Sequence, residues 1–220
     1  MRYLQSSSVV VEPAIWNDRN VDWAAAFDAV LIRSIWDYHR FYDDFLEWLA
    51  SLEQIGVPTI NSISLLRWNS NKRYLLQLPP LGVDIVPTQV MRAGELADAL
   101  SAMSGRDLVI KPTVSAGAWS TVRGCAGSAA LSSAVSLLPP DLEYMVQPFI
   151  PEIAQDGEWS LLFFDGLYSH AVCKRPRAND YRVQGEFGGS VEFVAPDDKT
   201  IAAAERAVAA VVSLGYTDIT

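Results

Sequence analysis

Leu108-Val109-Ile110-Lys111-Pro112-Thr113-Val114-Ser115-Ala116-Gly117-Ala118 is the most informative stretch of this chain. Three apolar residues in a row give a strand signal, and a lysine closes it. Lysine is rarely buried without a partner, so one that ends a buried strand often points into a cleft. The competing reading is an ordinary solvated charge. The small residues that follow allow backbone amides to close over phosphate oxygens, which favours the cleft. A second lysine, Lys72, opens a short helix after Asn69-Ser70-Asn71.

Working outward, Asp107 to Pro112 is a strand, and Thr113 to Gly127 a hairpin with a loop rich in Gly, Ala, Ser and Thr. Ala129 to Leu138 reads as a helix and Glu143 to Ile150 as a strand. That strand leaves the core as Gln147-Pro148-Phe149-Ile150. It offers edge amides and carbonyls to a flat ligand, with Phe149 and Ile150 lining the slot, or else it is an ordinary buried strand. Glu158 follows Gln155-Asp156-Gly157 and suits a hydroxyl-bearing ligand such as a ribose. Trp159–Phe164 and Leu167–Lys174 flank Asp165-Gly166, a favoured type I′ hairpin turn. Arg175 to Gly189 is a polar, glycine-bearing loop, Lys199 to Val212 a helix, and a last strand is expected near Gly215.

Upstream, Lys72 to Leu78 is a short helix stopped by Pro79-Pro80, Ile85 to Met91 a strand candidate and Gly94 to Met103 a helix. Ala29 to Arg33 reads as a buried strand. Phe41, Phe45, Trp48, Leu52 and Ile55 make one helical stripe, ended by Gly56, before a strand at Val57-Pro58-Thr59-Ile60. This β-helix-β unit is Rossmann-like, and with few residues ahead of Ala29 it reads as partial. The alternation of strands and helices implies an α+β or α/β fold. Three domains are expected, over residues 1–68, 69–145 and 146–220.

The 220 residues are 50% hydrophobic and carry a net charge of -9. That hydrophobic share suits a packed core, and the negative charge argues against nucleic acid as a partner. No apolar run approaches the roughly 20 residues that span a bilayer. Met1 to Pro13 lacks a signal-peptide core, and Cys125 and Cys173 read as two buried thiols, so a cytoplasmic location is expected. Neither GxxxxGK[ST] nor a GxGxxG after a strand is present. His39 and His170 read as structural rather than as a metal pair.

The ordered series Asn71-Lys72-Arg73-Tyr74, Gly82-Val83, Val109-Ile110-Lys111-Pro112, Val146-Gln147-Pro148-Phe149-Ile150, Asp156-Gly157-Glu158, Lys174-Arg175-Pro176, Arg182 and Gly188-Gly189 resembles the ATP-grasp superfamily. It is similar to the prokaryotic glutathione synthetase branch. Arg33-Ser34-Ile35-Trp36-Asp37-Tyr38 and Arg67-Trp68-Asn69 resemble the cyclo-ligase subgroup that closes O-ureido-serine. The resemblance implies a partial pre-ATP-grasp domain followed by two lobes that grip ATP. It implies that Lys72, Lys111, Gln147, Phe149, Ile150 and Glu158 bind the nucleotide, and that Lys174 and Arg182 reach the reacting phosphoryl group. Arg33, Trp36 and Asp37 would face a small carboxylate or amino-acid-like substrate, with a structural Arg33–Asp37 ion pair as the alternative. The implied reaction activates a carboxylate as an acyl phosphate for attack by an amine, with ATP and Mg2+ as cofactors.

Two departures from the pattern stand out. Pro79-Pro80 interrupts a helix, and Asp218 is the one magnesium ligand of the expected set, two residues before the last. Asp218 can equally be an ordinary terminal aspartate. The expectation is a chain incomplete at both ends, with an unpaired sheet edge that favours a homo-oligomer. The alternative function is a non-catalytic nucleotide-binding or scaffold protein derived from such a ligase.

Overall fold

The computed structural model describes residues 9–177, 182 and 188–217. The chain divides into two compact units, Met1–Ile63 and Ser64–Thr220.

In the first unit a short helix, α1 (Trp23–Ala26), precedes β1 (Val30–Leu31), and α2 (Tyr42–Ile55) leads to β2 (Thr59–Ile60). The two strands pair in parallel, Val30 with Thr59 and Leu31 with Ile60, so the expected β-helix-β unit forms. Gly56 ends α2 at φ 74°, a left-handed position that glycine tolerates. The expected helical stripe is rotated by one position. Phe45, Leu49 and Leu52 are buried, whereas Phe41 and Ile55 are 46% and 45% exposed. The reason is a cluster of rings on the Phe45 side: Trp16 lies 5.7 Å from Phe45, Tyr38 5.3 Å from Phe45, and Trp23 5.3 Å from Trp48. The apolar run at Ala29 to Arg33 is not fully buried either. Val30 is covered, but Leu31 is 52% exposed, because alternate residues of a strand face opposite ways.

The second unit opens with α3 (Ile63–Ser70) and a 3-10 turn over Lys72–Gln77, capped by the Asn71 side chain. That turn stops at Gln77, ahead of Pro79 and Pro80 as expected, but the two prolines do not open a loop. They begin another 3-10 turn, Pro79–Leu81, where a missing N–H costs nothing, and Gly82 closes it at φ 78°. A four-stranded antiparallel sheet follows, in the order β3 (Gln89–Arg92), β6 (Glu143–Pro148), β4 (Asp107–Pro112), β5 (Val122–Cys125). Strand β3 begins only at Gln89, since Pro87 cannot donate to a ladder. Helices α4 (Leu96–Ala102) and α5 (Ala129–Ser136) supply the core with the sheet: Leu96, Leu100 and Leu131 pack with Leu108, Ile110, Tyr144 and Val146. Gly124 of β5 allows this approach, because a Cβ there would lie 3.2 Å from that of Leu131. Cys125, expected to be buried, is exposed, and Cys173 is buried.

After the short α6 (Glu152–Asp156), β7 (Glu158–Phe164), β8 (Leu167–Arg175) and β9 (Ser190–Val194) form a three-stranded antiparallel sheet. Asp165 and Gly166 have φ of 51° and 72°, as a type I′ turn requires. The long α7 (Asp198–Ser213) is capped by Asp197, whose carboxylate accepts the Thr200 N–H at 2.8 Å. Gly215 to Thr217 have no strand geometry, and Asp218 lies outside the described residues.

The rotated stripe has a measurable consequence. Leu49→Ala is expected to cost about 2–5 kcal/mol of stability, and Ile55→Ala well under half of that. Urea unfolding midpoints of the two variants check this, and equal losses would restore the stripe read from spacing.

Candidate functional site

The register of the four-stranded sheet decides which side chains share a face. Val109 lies opposite both Arg123 and Gln147, and Lys111 opposite Met145. Leu108 and Ile110 face the helices, so Val109, Lys111, Arg123, Met145 and Gln147 face away from them. Met145 and Gln147 are nonetheless buried, so this face is enclosed at its centre.

Lys111 ends β4 on that face. The chain then turns back, and Thr113 donates to the Glu143 carbonyl at 2.9 Å while its own carbonyl accepts the Lys72 N–H at 2.8 Å. Lys72 is thereby fixed beside Lys111, although 39 residues separate them (111 − 72). The Lys72 ammonium donates to the Ser115 carbonyl at 2.5 Å and lies 3.4 Å from the Ser115 hydroxyl. Burial lowers the Lys72 pKa to about 8, and repulsion from Lys111 adds to the effect. Burial also lowers the pKa of Lys111, against which the nearby Glu158 carboxylate pulls upward. Glu158 and Lys174 are direct cross-strand partners, with Nζ to Oε1 at 3.3 Å. Glu158 thus faces two lysines, Lys111 and Lys174, and Lys72 stands beside the first of them, an excess of positive charge in a chain of net charge -9.

Gly157 places Glu158. Its φ is 84°, and a Cβ there would meet the Cys173 sulfur at 2.5 Å and the Lys174 carbonyl at 2.8 Å. Only glycine lets the end of α6 pass this close to β8. Gln147 is oriented by Thr88. The Thr88 hydroxyl donates to the Val86 carbonyl at 2.7 Å, so it accepts from Gln147 Nε2, also at 2.7 Å. Phe149 leaves β6 with its N–H on the Asp107 carbonyl at 2.9 Å, and the Arg123 guanidinium lies 3.2 Å above its ring centre. Ile150, half-buried, follows and accepts the Ile153 N–H at 3.2 Å. An open pocket of about 410 Å³ lined by Leu76, Pro79, Val83, Ile85 and Thr88 lies nearby, without any of the lysines.

The other sequence-predicted residues are placed separately. Arg182 is half-buried, between segments outside the described residues, and Asp218 is outside them as well. In the first unit Arg33 is exposed and Trp36 is 74% exposed, while Asp37 accepts the Trp16 indole N–H at 2.9 Å. No ion pair joins Arg33 to Asp37 among the described residues. Among the described residues no three His, Cys, Asp or Glu side chains gather as a metal site. Spacing missed Thr88, Arg123 and Asp107, which carry no local signal. Gly157, part of the Asp156-Gly157-Glu158 series, was not read as the residue that places Glu158.

Comparison with known proteins adds the lineage. Residues 1–61 match the family model described as D-cycloserine synthetase DcsG, N-terminal domain. The cycloserine biosynthesis protein DcsG of Streptomyces lavendulae is 32% identical over 176 residues, 76% of this chain and 58% of that protein. The glutathione synthetase of Prochlorococcus marinus (strain MIT 9313) is 30% identical over 156 residues, 70% of this chain and 49% of that one. The chain therefore spans about half the length of the curated relatives it matches. The crystal structure of D-cycloserine synthetase DcsG superposes with a TM-score of 0.83 at 30% identity, covering 97% of this chain and 75% of that one. A D-alanine–D-alanine ligase from Bacillus anthracis shares the fold, with a TM-score of 0.61, 15% identity, and coverage of 87% and 63%.

Two outcomes test this geometry. Gly157→Ala is expected to cost roughly 2–5 kcal/mol, from left-handed strain plus the clash with Lys174, read as a lowered denaturation midpoint. A neutral result would mean that α6 and β8 are not in close contact. For Lys72 the sign follows from its lowered pKa. The folded chain holds this proton less tightly than the unfolded one, so the penalty is complete below about pH 8 and fades as pH rises toward 10.5. The wild type is thus expected to gain stability relative to Lys72→Met between pH 8 and 10.5, measured by thermal unfolding, and a constant difference would contradict the burial of this lysine.

Proposed function

Because this chain belongs to the DcsG-like branch of the ATP-grasp family, we propose that it binds ATP in the cleft of its second unit and activates a carboxylate for attack by an amine. The observation that carries the reading is the pair Lys72 and Lys111. Two ammonium groups are held close together and half-desolvated, each with its pKa lowered. Such an arrangement is unfavourable by itself and becomes favourable when an anion enters.

The triphosphate suits those two cations. In this reading Gln147 offers its side-chain carbonyl to an amino group of the base, since its amide nitrogen is committed to Thr88. Phe149 and Ile150 line the base slot, and Glu158 receives the ribose hydroxyls. Lys174 and Arg182 neutralise charge at the transferred phosphoryl group, where preorganised cations contribute most. ATP supplies the phosphoryl group that turns the carboxylate into an acyl phosphate. Magnesium is assigned to Asp218 together with phosphate oxygens. Arg33, Trp36 and Asp37 are assigned to the small carboxylate or amino-acid-like substrate.

Titration calorimetry with ATP tests the reading. Lys111→Met is expected to weaken ATP about tenfold or more, the loss of a charge-assisted contact of about 1.5–3 kcal/mol. Affinity of the wild type is expected to fall as pH rises past about 8, where Lys72 gives up its proton, and to fall less in Lys72→Met. Release of ADP on addition of carboxylates and amines distinguishes a ligase from a nucleotide-binding protein without turnover. Absence of ATP binding would remove both.

A further inference from the structure

Arg123 and Asp107, which the proposed function does not use, close into a triangle with Phe149, which it does. Arg123 lies on β5, Asp107 opens β4, and Phe149 follows β6. The guanidinium grips the Asp107 carboxylate, with Nη2 to Oδ2 at 2.7 Å and Nε to the two oxygens at 3.2 and 3.3 Å. Its flat face covers the Phe149 ring, 3.2 Å from the centroid. The carbonyl of the same Asp107 holds the Phe149 N–H at 2.9 Å. One residue therefore fixes both the backbone of Phe149 and the cation that covers its ring.

The ion pair is unsuited to a stabilising role. Its side chains are 32% and 46% exposed, and pairs that exposed contribute little. Geometry is what the triangle supplies. Arginine is the residue able to grip a carboxylate in its fork and stack at the same time. Phe149 follows the last paired residue, Pro148, two positions past Gln147, and its ring lies against Arg123, which shares the face of Gln147 and Lys111. Arg123 lies against one face of that ring.

We infer that Arg123 and Asp107 are positioning residues for the base slot. They hold Phe149 in the one rotamer that gives the base a flat wall, and so set the preference for a nucleoside triphosphate over bare polyphosphate. The inference rests on the ATP-binding reading of the Gln147–Ile150 segment. It concerns affinity for the base, not for the phosphates, which Lys72 and Lys111 hold.

The test compares ATP with inorganic tripolyphosphate by titration calorimetry, in the wild type, Arg123→Met, Arg123→Lys, Asp107→Asn and Lys72→Met. The wild type is expected to prefer ATP. Arg123→Met and Asp107→Asn are expected to weaken ATP about tenfold and tripolyphosphate less than about twofold, with the melting temperature nearly unchanged. Arg123→Lys is expected to recover only part, because an ammonium cannot grip and stack together. Lys72→Met is expected to weaken both ligands. An Arg123→Met variant that keeps the full preference for ATP, or that loses both ligands equally, overturns the positioning role. A wild type that binds tripolyphosphate as well as ATP sinks the base-slot reading, and the inference with it.

Discussion

The repulsion between Lys72 and Lys111 is the constraint around which the second unit is organised. Two like charges, each partly stripped of water, do not stay together unless the backbone compels them. Here the compulsion comes from the backbone hydrogen bonds made by the N–H and the carbonyl of Thr113, which join the Lys72 turn, the end of β4 and the start of β6. Those bonds depend in turn on the helix-facing side of the sheet, where Ile110 and Tyr144 are fully buried. The apolar core on one face thus carries an electrostatic cost on the other. Glu158 and the Ser115 carbonyl relieve only part of that cost, so the cleft keeps an unmet demand for negative charge.

The opposite ends of the cleft are built differently. The cationic end relies on backbone connections across long sequence separations. The end at Phe149 relies on side chains that interlock with each other, Arg123 with Asp107 and Gln147 with Thr88. The first arrangement is hard to disturb by a single substitution, because main-chain bonds survive side-chain changes. The second is easily retuned. A fold with that division can keep its two lysines in place while the contacts around Phe149 vary.

What was legible in the sequence follows the same division. Lys111 at the end of an apolar run, the Asp165-Gly166 turn and the parallel pairing around α2 are local signals, and the structure has all three. The exact face of α2 was not legible, since both the 41–45–48–52–55 stripe and the buried 45–49–52 set satisfy a helical period. Only the rings of Trp16 and Tyr38, folded back from elsewhere, choose between them. The partners of Gln147 and Phe149 were equally hidden. Thr88 lies 59 residues from Gln147, and Asp107 meets Arg123 through strand register, which no spacing rule encodes.

Register also explains why so few residues can define the cleft. A strand turns every second side chain to the same face, so a slip of one residue in β4 against β6 would bury Lys111 among Leu96, Leu131 and Tyr144 and expose Leu108 and Ile110. Burying an ammonium group without a partner costs far more than the apolar contacts could return. The lysine that defines the site therefore also penalises the wrong pairing of the sheet. Gly124 acts from the other side, because only the correct register sets it beneath Leu131, where a side chain would not fit. In this unit the placement of Lys111 on the face away from the helices and the register needed for folding impose the same alignment.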